Sequence, residues 1–120
     1  MIELPDIIRV VCLELGVEPS CLGGPCRHKR VVMAREAYVH LAKLLTTHSY
    51  PEISRHIGKT HSTLITAHHR LEYSLETGKV WGVDDDGRDV LVSSLIRKMH
   101  KQLTDRAARK AARLKEQEAA

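Results

Sequence analysis

The sequence predicts an all-α fold, a compact helical domain of roughly five helices, on three observations. Apolar residues recur at three- and four-residue spacing in successive stretches. Glycine or proline stands between those stretches. No segment of useful length alternates apolar and polar residues with the aromatic or β-branched content of a strand. At 120 residues, positions 1–120 form one domain around one modest core.

The first helix follows Pro5, with Leu4, Ile7, Ile8, Val11, Cys12 and Leu15 on one face and Gly16 as its stop. Val17 to Arg30 holds Pro19, Gly23, Gly24 and Pro25 and reads as loop, with one short helical turn at Pro19 to Leu22. The second helix runs from about Val31 to Thr46, with Ala34, Ala37, Tyr38, Leu41, Ala42 and Leu45 inward and Arg35, Glu36, His40 and Lys43 outward. Ser49-Tyr50-Pro51-Glu52 opens a short third helix to Ile57, with Ser49 as cap and Glu52 reaching back to the serine N–H. Gly58 closes it. Thr60 or Ser62 caps a fourth helix that turns Leu64, Ile65, His68, Leu71 and Leu75 inward and His69 outward.

Gly78 to Asp89 reads as a surface loop from which Trp81 and Val83 fold back. Val90 to about Lys115 is the last helix, with Leu91, Leu95, Met99 and Leu103 as an inner stripe that fades into alanines, so that the C-terminal end protrudes. Arg97 to Lys115 reads first as a soluble helix end; a second DNA contact, a dimerisation helix, or contact with a protein partner are the other readings of this helix.

Nineteen Lys and Arg against fifteen Asp and Glu give a net charge of +4 before eight histidines are counted, which favours a polyanionic partner. The acids collect at Asp84 to Asp89, while Arg27 to Arg35 and Arg97 to Lys115 are basic. Cys12, Cys21 and Cys26 are odd in number, no apolar stretch approaches a membrane span, and the N-terminus lacks the order of a signal peptide. The expectation is a reduced, soluble, cytoplasmic and nucleoid-associated protein with no membrane contact.

Catalysis and cofactor binding are not expected. Asp84-Asp85-Asp86 has no histidine or cysteine support, and no phosphate-loop motif is present. Cys21, Cys26 and His28 have marginal spacing for zinc and no clear fourth ligand. With only 3% aromatic residues, Tyr38 and Trp81 read as packing residues rather than single-strand stacking platforms.

What remains is Ser49 to Leu75: a short helix, a glycine turn, and a helix whose start carries Lys59, Thr60, His61, Ser62 and Thr63. That arrangement presents hydroxyls, imidazole and a threonine methyl to base edges in a major groove. Ser49-Tyr50-Pro51-Glu52-Ile53, then His61-Ser62-Thr63-Leu64 with Ala67, Arg70, Leu71 and Glu72, and before them Leu41-Ala42-Lys43-Leu44-Leu45-Thr46, resemble the C-terminal DNA-binding domain of the bacterial replication initiator DnaA family. The resemblance spans about residues 4–76.

It implies major-groove reading by Thr60, His61, Ser62 and Thr63 with Lys59 beside them, a minor-groove arm at Arg27 and Lys29, and phosphate contacts at Lys43, Ser49 and Tyr50. Arg30, Arg35, His69 and Arg70 join these as phosphate candidates. The turn departs from the family, which places a glycine-arginine-aspartate segment between the helix-closing glycine and the histidine where this chain has only Lys59 and Thr60. The function expected is sequence-specific binding of double-stranded DNA by a standalone module in transcription or replication-initiation control. The alternative is a protein-protein adaptor that keeps the fold without reading bases; salt dependence of duplex binding separates the two.

Overall fold

A computed structural model describes residues 2–25 and 28–119, with the side chains of His61 and Ala119 also outside the description. Arg27, expected in a minor-groove arm, and Cys26, weighed as a zinc ligand, lie outside the described residues. The elements are α1 (Leu4–Leu15), a 3₁₀ turn (Pro19–Cys21), α2 (Lys29–Leu45), α3 (Tyr50–Arg55), α4 (His61–Thr77), β1 (Val80–Val83), β2 (Asp89–Leu91) and α5 (Val92–Ala119).

The all-α expectation holds for every large element. α2 is central: α1 and α4 pack on it from different sides, with little contact between them, and α3 bridges α2 and α4. The apolar faces read from the spacing meet in one core that includes Ile7, Val11, Ala37, Leu41, Ile53, Leu64 and Leu71. Within it Tyr38 is fully buried, and its hydroxyl donates to the Ile53 carbonyl at 2.7 Å. Burial pushes the Tyr38 phenol well above its ordinary range, so it stays a donor at any physiological pH.

The loop between α1 and α2 is fastened at two points. Arg35, on α2, sends Nε to the Leu22 carbonyl at 2.7 Å and a terminal nitrogen to the Gly24 carbonyl at 2.8 Å. Gly23 lies against the end of α3 so closely that a Cβ there would stand 1.9 Å from the Ile57 carbonyl oxygen. Only glycine permits that approach.

Several local expectations are corrected. α2 begins at Lys29 rather than Val31, because the His28 imidazole accepts from the Arg30 N–H at 3.3 Å and caps the helix earlier. Ser49 and Glu52 form no capping box: the serine makes no side-chain cap bond, and Glu52 pairs with His48 instead. A reciprocal box of that type lies at the start of α1, where the Glu3 N–H donates to Asp6 at 3.2 Å.

The segment read as loop from Gly78 to Asp89 is mostly an antiparallel hairpin, with Gly82 opposite Val90 and Val83 opposite Asp89. Its turn is built by Asp84, whose carboxylate accepts from the N–H groups of Asp86 (3.0 Å) and Arg88 (2.8 Å). Trp81 does pack toward the core, but Val83 points to solvent at 67% exposure. Leu91 belongs to β2 and keeps 37% of its surface exposed. Since α5 starts at Val92, its inner stripe is Val92, Ile96, Met99 and Leu103, with Leu95 only half-buried. Beyond Leu103 most positions are exposed, with Thr104, Arg106 and Ala107 half-buried.

Two predictions follow from the core. Tyr38→Phe removes the donor to Ile53 and should cost about 1–3 kcal/mol, measured by urea unfolding. Gly23→Ala should lower the unfolding midpoint clearly more than Gly24→Ala, because a Cβ at Gly24 meets nothing closer than 3.7 Å; equal midpoints would mean the Gly23 approach to α3 is not a constraint.

Candidate nucleic-acid interface

The two-helix unit is α3, a turn, and α4. Gly58, at φ 69, adopts the left-handed conformation that lets the chain leave α3. The Gly58 N–H then returns to the Arg55 carbonyl at 3.3 Å, and the Lys59 N–H to the Ser54 carbonyl at 3.1 Å. Ser54 is buried, its hydroxyl donating to the Pro51 carbonyl at 2.9 Å, so the turn rests on a closed polar unit.

α4 starts with exposed hydroxyls. Thr60 occupies the cap position with extended backbone but makes no side-chain bond to the helix N–H groups. Its Oγ1 instead lies 3.2 Å from Ser62 Oγ and 2.9 Å from Thr63 Oγ1. Thr60, Ser62 and Thr63 are all exposed, Lys59 is half-buried, and His61 is the first residue of the helix. The expected major-groove residues are therefore consecutive at one exposed helix tip.

Below the tip, Leu64, Ala67 and Leu71 face the core, which leaves an outer row of Thr66, His69, Arg70 and Tyr73. Those four line a shallow depression of about 440 Å³ with Glu36 and Lys79. Burial raises the Glu36 carboxyl above its ordinary range, against the opposing pull of Lys79 and Arg70. Thr66 and Tyr73 were not singled out from sequence; the phase of Leu64, Ala67 and Leu71 was the signal that could have found them.

A polar chain ties the unit to α2. Lys43 Nζ sits 4.6 Å from the Tyr50 ring centre and 3.5 Å from the His48 carbonyl oxygen. The Tyr50 hydroxyl lies 2.7 Å from His68 Nδ1, and His68 Nε2 lies 3.1 Å from Glu72. His68 does face inward and His69 outward. Burial lowers the His68 pKa below its ordinary value, with Glu72 opposing and His69 and Lys43 reinforcing, so the ring is neutral at pH 7. The neutral ring then donates from Nε2 to Glu72 and accepts the Tyr50 hydroxyl proton at Nδ1, which satisfies both contacts. His40 stacks edge-on against His68 at 5.5 Å, its Nδ1 buried without a partner among the described residues.

The remaining candidates divide. Ser49 and Lys43 are exposed and Tyr50 is half-buried; Ser49 and Tyr50 stand at the start of α3 with Lys43 beside Tyr50. Arg30 is exposed at the start of α2. Lys29 is docked on the hairpin, donating to the Trp81 carbonyl at 2.9 Å with its ammonium 4.6 Å from the indole. Arg35 is committed to the Leu22 and Gly24 carbonyls, which makes it an anchor of the loop between α1 and α2.

Residues 4–71 match the family described as the bacterial dnaA protein helix-turn-helix. The chain belongs to that family. It is 33% identical over 108 residues to the chromosomal replication initiator protein DnaA of Deinococcus deserti, covering 90% of this chain and 22% of that protein. The DnaA proteins of Campylobacter concisus and Deinococcus radiodurans are 32% and 35% identical, over 68% and 55% of this chain and 19% and 14% of their own lengths. This DnaA-type chain thus spans about a fifth of the length of the relatives it matches. The matched segment runs from α1 into α4 and includes α3 and the turn. α5 and the hairpin follow the matched segment.

The lowered His68 and His40 pKa values have a pH consequence for this DnaA-type fold. The unfolded chain takes up these protons near pH 6.5 and the folded chain only lower, so stability is full above about pH 6.5 and falls as pH drops through the folded values. The thermal midpoint should decline between pH 7.5 and 5, and His40→Leu should flatten that decline; an unchanged slope would remove His40 from the account.

Proposed function

We propose that the chain binds double-stranded DNA through α3 and α4, with Lys59, Thr60, His61, Ser62 and Thr63 in the major groove. The observation that carries this reading is the exposed start of α4, where the Thr60 hydroxyl bonds those of Ser62 and Thr63 and makes no side-chain bond to the first-turn N–H groups. Backbone N–H groups at a helix start suit phosphate, and short hydroxyl side chains suit base edges. The names of the matched relatives support replication-initiation control as the setting, and regulation of transcription is the companion role of such a module.

In this reading Lys43, Ser49, Tyr50, His69, Arg70 and Arg30 hold phosphates around the tip. Arg27 and Lys29 serve the minor groove, with Lys29 exchanging the Trp81 carbonyl for DNA. Arg35 is left to the loop. A nucleoid-associated protein is the result.

Sequences selected from a random duplex pool supply the test. His61→Ala and Thr63→Ala should each lower affinity for the selected duplex by about 1–3 kcal/mol while leaving scrambled duplex little changed. Lys43→Ala should weaken both duplexes alike and reduce the salt slope by about one unit. Duplex binding that ignores salt and all three substitutions would favour an adaptor surface instead.

A further inference from the structure

α1 and α5 run antiparallel, registered by the Glu14–Lys98 ion pair at 2.6 Å. Past that pair they enclose a cleft of about 610 Å³. Arg106, Arg109, Lys110 and Arg113 line it from α5, and Arg9 faces them from α1. On α5 these four cations follow the i, i+3, i+4, i+7 spacing of a single helix face, a row about 10 Å long. Asp6 is the one acid in the lining, and it already accepts the Glu3 N–H. Among the described residues none of the five cations has an ion pair or hydrogen bond.

Four guanidinium groups cannot shed their charge by deprotonation, so the cleft keeps a positive field that a bound anion would lower. Arginine in a row is suited to phosphate oxygens, which it engages in bidentate fashion. The lining comes from the N-terminal part of α1 and from α5, with no residue of α3, the turn or α4 in it.

We infer that the cleft between α1 and the C-terminal half of α5 binds the phosphate backbone of a second duplex, so that one chain bridges two DNA segments. The inference rests on the duplex-binding reading and adds to it a site that reads charge and spacing but no sequence. The acidic hairpin turn of another copy is the competing occupant; a continuous row of cations along a helix matches a repeating phosphate chain better than it matches one compact turn.

The test uses the full chain, a bead-bound duplex of the selected sequence and a fluorescent duplex of random sequence. Wild type should capture the fluorescent duplex on the beads. Arg106→Gln, Arg109→Gln, Arg113→Gln together should preserve binding to the bead-bound duplex and reduce capture about tenfold or more. Arg97→Gln, Lys101→Gln, Lys115→Gln together remove as much charge from exposed positions outside the cleft, and should change capture by about twofold or less. Circular dichroism checks folding; should the cleft variant lose helix, the exposed pair Arg109→Gln, Arg113→Gln replaces it.

Capture retained by the cleft variant, or lost equally in both variants, overturns the inference. So does a wild-type dimer in sedimentation without DNA that becomes monomeric in the cleft variant, since the cleft would then hold another copy. Single-duplex binding without capture removes this inference alone, whereas no duplex binding at all removes the helix-turn-helix reading with it.

Discussion

The hydroxyl of Tyr38 reaching the Ile53 carbonyl inside the core is the contact on which the geometry of the site depends. α3 is only six residues long and has little surface of its own with which to fix its direction. One buried hydrogen bond from the central helix, together with the burial of Ile53, supplies that direction. Everything beyond α3 inherits it: the left-handed Gly58, the turn closed on Ser54, and the tip of α4. Gly23 presses on the far end of the same short helix, so α3 is held by α2 at its middle and by the first loop at its end.

The sequence made the helices legible because each large one carries its own period. Leu64, Ala67 and Leu71 on α4, or Ala37, Tyr38 and Leu41 on α2, mark a buried face without reference to any other element. The tip residues were legible for a different reason, that Thr60 to Thr63 are short, polar and placed directly after a helix-closing glycine. Thr60, Ser62 and Thr63 are exposed there.

What escaped the sequence was either too short to show a pattern or dependent on partners distant in the chain. The hairpin has strands of four and three residues, too short for alternation to show, and its turn is decided by one carboxylate accepting two N–H groups. Arg35 looks like any cation on a polar helix face until the loop folds over it. Lys29 meets Trp81 across 52 positions. The polar chain from Lys43 through Tyr50 and His68 to Glu72 also joins three helices, and no spacing rule within one helix contains it. Charge patterning, by contrast, was visible from the start: the basic stretch at the end of the chain becomes a cleft only because α1 lies beside it.

Trp81 is the only tryptophan in the molecule, and it sits under the ammonium of Lys29 at the entrance to α2. Its indole is half-buried, so its fluorescence is sensitive both to water and to the nearby positive charge. Departure of that lysine toward another partner would alter the quenching of a single chromophore. The fold therefore carries a built-in optical probe of its own basic arm, free of attached dyes and of interference from any second indole.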